Sequence, residues 1–117
     1  MESILNSIKK QLGIPAEYDH FDPDIIMHIN SVFMILNQLG VGPEEGFYIE
    51  DDVTTWSDYL DDPTQLQMVK TYMGQKVRLL FDPPASSTVM NAMNQAIAEF
   101  EWRLNIAVDP KASGKEE

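Results

Sequence analysis

The sequence predicts an all-α fold: a compact bundle of four to five helices, with a long antiparallel helical hairpin at the C-terminal end and an irregular loop between helices 2 and 3. Three observations lead there. Apolar residues recur at helical spacing in four separate segments. Asp-Pro steps stand where two of those segments begin, and Gly or Pro stands where three of them end. There is no cysteine, so no disulfide framework or zinc finger can hold the chain, and the fold must rest on packing. With 117 residues and 44% hydrophobic content, one domain with a modest core is expected, over residues 1–108, followed by a disordered polar tail, DPKASGKEE, at 109–117.

The first helix places Ile4, Leu5, Ile8 and Leu12 on one side between Ser3 and Leu12, and Gly13 with Pro15 stops it. In the second, Asp22 reads as an N-cap and Pro23 as a first-turn residue, with Asp24 near the positive end of the helix dipole. Ile25, Ile29, Val32, Leu36 and Leu39 form its core stripe, and Gly40 supplies the stop. From Val41 to Asp62 the pattern breaks into loop. Phe47-Tyr48-Ile49 suits a short extended piece, and Thr55 with Asp58 resembles a capping box for a helical turn carrying Trp56 and Leu60.

Asp62-Pro63 opens a long helix through about Phe81 with the stripe Leu66, Val69, Met73, Val77 and Leu80. Asp82-Pro83-Pro84 ends it, because proline cannot continue the hydrogen-bond ladder. Ser86 or Ser87 caps the last helix, which runs to about Val108 on the stripe Val89, Met93, Ala96, Ile97, Phe100, Leu104 and Ala107. So short a link folds the last two helices into an antiparallel hairpin.

Charge is unevenly spread. Between Gln11 and Val69 there is no Lys or Arg but there are twelve Asp or Glu, and from Ile25 to Pro43 no side chain is charged. A formal charge of -11 with only eight Lys and Arg argues against nucleic-acid binding, which draws its affinity from cations on phosphates. The N-terminal MESILNSIKKQLG lacks the pattern of a signal peptide, and no uncharged apolar run approaches the roughly 20 residues of a membrane span. The expectation is a protein without membrane contact, intracellular until it is assembled into something larger.

The side of the second helix opposite its core stripe holds Met27, Asn30, Ser31, Met34, Asn37 and Gln38. Neutral amides and thioethers in place of Lys and Glu suit a protein contact. The competing reading is a helix buried on all sides within its own fold. Trp102 and Ile106 lie one turn apart on the back of the last helix, with Asn91, Gln95 and Glu99 nearby, and tryptophan off the core face is a common interface anchor. Alternatively, the first helix or the loop covers them. In the loop, Trp56 suits a staple to the core, and Phe47 and Tyr48 suit partner docking.

Catalytic chemistry has little to draw on. His20, Asp22, Asp24 and His28 lack any standard zinc spacing, and Asp24 with His28 suits a helix-start pair. Glu50, Asp51, Asp52 and Asp58 lack the central glycine and terminal glutamate of a calcium loop. There is no phosphate loop and no Ser, His and Asp arrangement. No metal, cofactor or catalytic residue is expected, nor is the chain expected to be an enzyme.

Read together, ILNSIKKQLGI, FDPDIIMHINSVFMILNQLGVGP, DDPTQLQMVKTYMGQKVRLLFDPP and MNQAIAEFEWRLN resemble tailed-phage head–tail connector proteins, the head-completion adaptors of siphophages and prophages. The resemblance runs from about Ser3 to Asn105. It implies a ring of about twelve copies, closed by repeated head-to-tail contacts, that docks beneath the portal protein. The ring would offer a platform to a tail-side adaptor or stopper protein, while DNA passes without specific binding. It places the chain in the bacterial host cytoplasm during assembly and then in the virion, at the head–tail junction. On this reading Glu44, Glu45, Glu50, Asp51 and Asp52 are candidates to line the channel, where like charge keeps the duplex off the wall. A small acidic regulator that mimics DNA and binds a basic partner is the alternative, and it predicts salt-sensitive capture of that partner.

Overall fold

The computed structural model describes the backbone of residues 2–116 and the side chains of residues 2–106. Ala107 and the expected tail, 109–117, therefore lie outside the described side chains. Five helices follow one another: α1 (Ile4–Leu12), α2 (Asp22–Gln38), α3 (Trp56–Tyr59), α4 (Pro63–Phe81) and α5 (Ser87–Glu116). Among the described residues there is no strand, and the one β-type contact is an isolated bridge between Ser3 and Thr55.

Local signals set most of these boundaries. Ser3 caps α1 by accepting the N–H of Asn6, and Gly13 closes it in the left-handed region at φ 79°. Asp62 caps α4, its carboxylate accepting the N–H groups of Thr64 and Gln65. Asp58 reaches back to accept the N–H of Thr55 at 2.9 Å, fixing the single turn of α3. At α2 the expectation fails. Asp22 is the first helical residue and not its cap, and the N-cap position, Phe21, makes no side-chain hydrogen bond.

Asp22 is taken up instead by Lys9. The Lys9 side chain is 0% exposed, pairs with the Asp22 carboxylate at 2.8 Å, and donates to the carbonyls of Ala16 and Tyr18 at 2.9 and 2.7 Å. A buried ammonium requires such partners, because desolvating an unpaired charge costs several kcal/mol or more. The contact ties the end of α1 to the start of α2 and gathers residues 16–22 around it.

The central helix is α4, which packs against α1, α2 and α5. Its buried residues Val69, Tyr72, Met73 and Val77 meet Ile4, Leu5 and Ile8 of α1, five residues of α2 including Phe33 and Leu36, and Ile97 and Leu104 of α5 in one core. Three neighbours widen the buried arc of α4 beyond a single stripe, so Tyr72 and Gly74 are buried although the periodicity omitted them. Leu80 and Val89, assigned to the core by their spacing, are about half exposed. They flank the turn at 82–86, on the side away from Phe81, which packs against Phe21. The register of the hairpin is held by Tyr72, whose hydroxyl donates to Glu101 at 2.8 Å, with Lys76 3.6 Å from the same carboxylate. Burial, and then the Glu101 carboxylate, push the Tyr72 phenol above its ordinary titration range.

The loop between α2 and α3 is strapped down by side chains. The expected extended piece at Phe47-Tyr48-Ile49 has no strand partner. The Asn30 side chain substitutes for one, accepting the Ile49 N–H at 2.8 Å and donating to its C=O at 3.0 Å. Asn37 donates to the carbonyls of Pro43 and Glu44. Trp56 is 1% exposed and is a staple, as its sequence context suggested.

Candidate assembly surface

One face of α2 is free. Met27 and Met34 are 58% and 66% exposed, and Ser31 and Gln38 are exposed between and beyond them. The reading in which α2 is buried on all sides is thereby excluded. The four residues follow at i, i+4, i+7 and i+11, which aligns them in a stripe of about 16 Å along the helix. None carries charge. Asn30 and Asn37, expected on the same face, are half-buried and hold the loop through the hydrogen bonds just described. Sequence reasoning missed that role because an amide that binds its own backbone and one that faces a partner have the same composition.

A second exposed stripe lies on α5. Trp102 is 62% exposed and Ile106 is also open, so neither α1 nor the loop covers them. Gln95 and Glu99 continue the line toward the N-terminal end, again at i, i+4, i+7 and i+11. Arg103 lies beside it and donates to Glu99 at 2.7 Å.

The loop residues divide. Tyr48 is 65% exposed, as a docking residue must be. Phe47 turns inward, its ring 5.1 Å from those of Phe33 and Tyr59, where the loop runs back along α2 between its ties to Asn37 and Asn30. It is a half-buried core-edge residue and not, like Tyr48, a side chain open to solvent. Between Met34, Gln38, Glu45 and Phe47 the surface forms a hollow of about 240 Å³.

Glu44, Glu45, Glu50, Asp51 and Asp52 are all exposed. Asp51 accepts the Val53 N–H at 3.0 Å, which orders the bend that displays this run. Glu50, Asp51 and Asp52 also meet Glu17, Asp19 and Asp22 along a groove of about 620 Å³. That convergence joins segments about thirty residues apart and leaves no trace in the linear pattern.

The histidines serve packing. His20 stacks edge-on against Phe21 at 4.8 Å, and His28 lies 6.4 Å from Phe81 and forms no pair with Asp24. Among the described residues no three His, Asp or Glu side chains gather as a metal-holding group, and no helix is long and apolar enough to cross a membrane.

The surface thus carries a neutral helical stripe, an exposed tryptophan on another helix and an acidic loop. The profile described as phage connector protein matches residues 4–111. The chain belongs to the phage connector protein family. No curated protein and no solved structure matches it. Exposed surfaces of this kind suit a connector protein, because a structural part of a phage particle works through what its faces touch. The match runs across the irregular segment from 42 to 62 as well as the helices.

Proposed function

We propose that this connector protein is the repeating subunit of a ring at the head–tail junction. The ring docks beneath the portal after DNA packaging, extends the DNA channel and presents a platform to the next tail-side protein. The role is structural, with no substrate turned over. The observation that carries this reading is the uncharged stripe Met27, Ser31, Met34 and Gln38, exposed on a chain whose net charge is -11. A subunit this acidic repels its own copies unless the surface between them is stripped of charge. The acidic loop supports the same reading. Glu44, Glu45, Glu50, Asp51 and Asp52 on the inner wall of a ring would repel the DNA backbone and let it slide. Tyr48, exposed on that loop, suits contact with the portal or the tail-side partner.

The test replaces Met27 and Met34 with Lys. Both side chains are exposed, so the variant is expected to keep the helical content and melting temperature of the parent. It is expected to remain monomeric by light scattering, alone and with the cognate portal, under conditions where the parent forms rings visible by electron microscopy. A parent protein that stays monomeric in both settings would refute the ring.

A further inference from the structure

We infer that the α2 stripe of one copy is covered by the α5 stripe of the next, with Trp102 seated in the hollow between Met34, Gln38, Glu45 and Phe47. This assignment rests on the ring reading and specifies its seam. Four observations converge on it.

The two stripes match in form. Met27, Ser31, Met34 and Gln38 on α2, and Gln95, Glu99, Trp102 and Ile106 on α5, follow the same i, i+4, i+7, i+11 spacing. Two straight rows of equal length, each about 16 Å, are what helix-on-helix packing requires. They also differ in the way a knob differs from a socket. The α5 row projects a large indole, and the α2 row borders a hollow of about 240 Å³ walled by a thioether and a phenyl ring. Methionine adapts its shape to such a guest, and a seated tryptophan is a frequent anchor of protein interfaces.

Charge is complementary at the rim. Glu45 stands at the edge of the hollow, and Arg103 is next to Trp102. Among the described residues Arg103 pairs with Glu99, both more than half exposed. An exposed pair of that kind contributes little to stability, so Arg103 exchanges or shares its partner readily. This places Glu45 at the seam between subunits and removes it from the channel wall.

Finally, the stripes lie on two helices that each pack on α4, and both face away from it. One contact uses the α2 row of one copy and the α5 row of another, leaving a free row at each end to repeat the step. That is the requirement for a heterologous interface, which gives a ring when the rotation between copies closes, whereas a row that paired with itself would stop at a dimer.

The chain has no cysteine, which makes the pairing directly testable. The double variant Gln38→Cys with Ile106→Cys, oxidised under conditions where the parent assembles, is expected to give a ladder of crosslinked species beyond the dimer. An equimolar mixture of the two single variants is expected to stop at the dimer, and each single variant alone to give none. Crosslinked dimers from a single variant, a double variant that stops at the dimer, or a crosslink formed only to the portal would overturn the assignment. So would the absence of a ladder in samples that light scattering shows to be assembled, and in that case the ring reading survives. If the parent does not assemble at all, both fall. A charge exchange gives an independent check on exposed residues whose replacement leaves folding intact. Glu45→Arg or Arg103→Glu alone is expected to weaken assembly roughly tenfold, and the two together to restore it. Equal losses without restoration would exclude the Glu45–Arg103 contact.

Discussion

A single side chain, Asn30, satisfies both backbone groups of Ile49, accepting its N–H at 2.8 Å and donating to its C=O at 3.0 Å. Ile49 is buried and has no strand beside it, so the amide supplies what a neighbouring strand would otherwise provide. Asn30→Ala strands a buried donor and a buried acceptor together. The expected loss is about 2–3 kcal/mol in denaturant unfolding. The Ile49 amide should also exchange with solvent much faster. Asn30→Asp keeps the acceptor and loses the donor, and should fall between Ala and the parent.

Lys9 is the interior charge on which the first third of the chain is organised. Lys9→Met preserves the length of the side chain and removes the ammonium, leaving Asp22 and two carbonyls without their donor. Breaking a buried pair from one side costs about 3–5 kcal/mol. A loss of that order is expected in denaturant unfolding, with a lower melting temperature. Asp22→Asn should cost less, because the ammonium retains the carbonyls of Ala16 and Tyr18. If Lys9→Met melts with the parent, the ammonium contributes no net stability.

Gly42 and Gly46 separate two effects that are usually confounded. Both adopt positive φ, 86° and 94°. A Cβ added at Gly42 would stand 2.5 Å from the Tyr59 ring, whereas at Gly46 nothing lies within 4 Å. Gly46→Ala should therefore cost only the backbone term, about 1–2 kcal/mol. Gly42→Ala should cost that and the displacement of a buried tyrosine as well. Equal losses in paired unfolding curves would mean that Tyr59 moves aside freely.

The legible parts of the fold were those written in local chemistry. Asp62-Pro63 marks the start of α4 and Phe81 its end, and Ser3 with Gly13 brackets α1, because caps and prolines act within a few residues of themselves. Lys9 was opaque for the opposite reason. Its partners at 16, 18 and 22 reach it only after the chain has turned back, and nothing in a Lys-Lys pair marks which one goes inside. Asp22-Pro23 misled on the cap because Asp is equally suited to a helix start and to a buried cation. On the surface, the α2 and α5 stripes could be read from their residue types. Asn30, Asn37 and Phe47 could not be sorted into holding the loop or facing outward until the path of the loop was known.

The two tryptophans occupy opposite surroundings, and this has a practical consequence. Trp56 is sealed in the interior with the Lys70 ammonium 5.8 Å above its ring, while Trp102 faces water. Their fluorescence should be resolvable, blue-shifted for the first and red-shifted for the second. Unfolding moves the blue component alone, and capture by any partner at α5 moves the red one alone. The molecule thus carries two intrinsic optical probes, one for its own integrity and one for docking at α5, with no label attached.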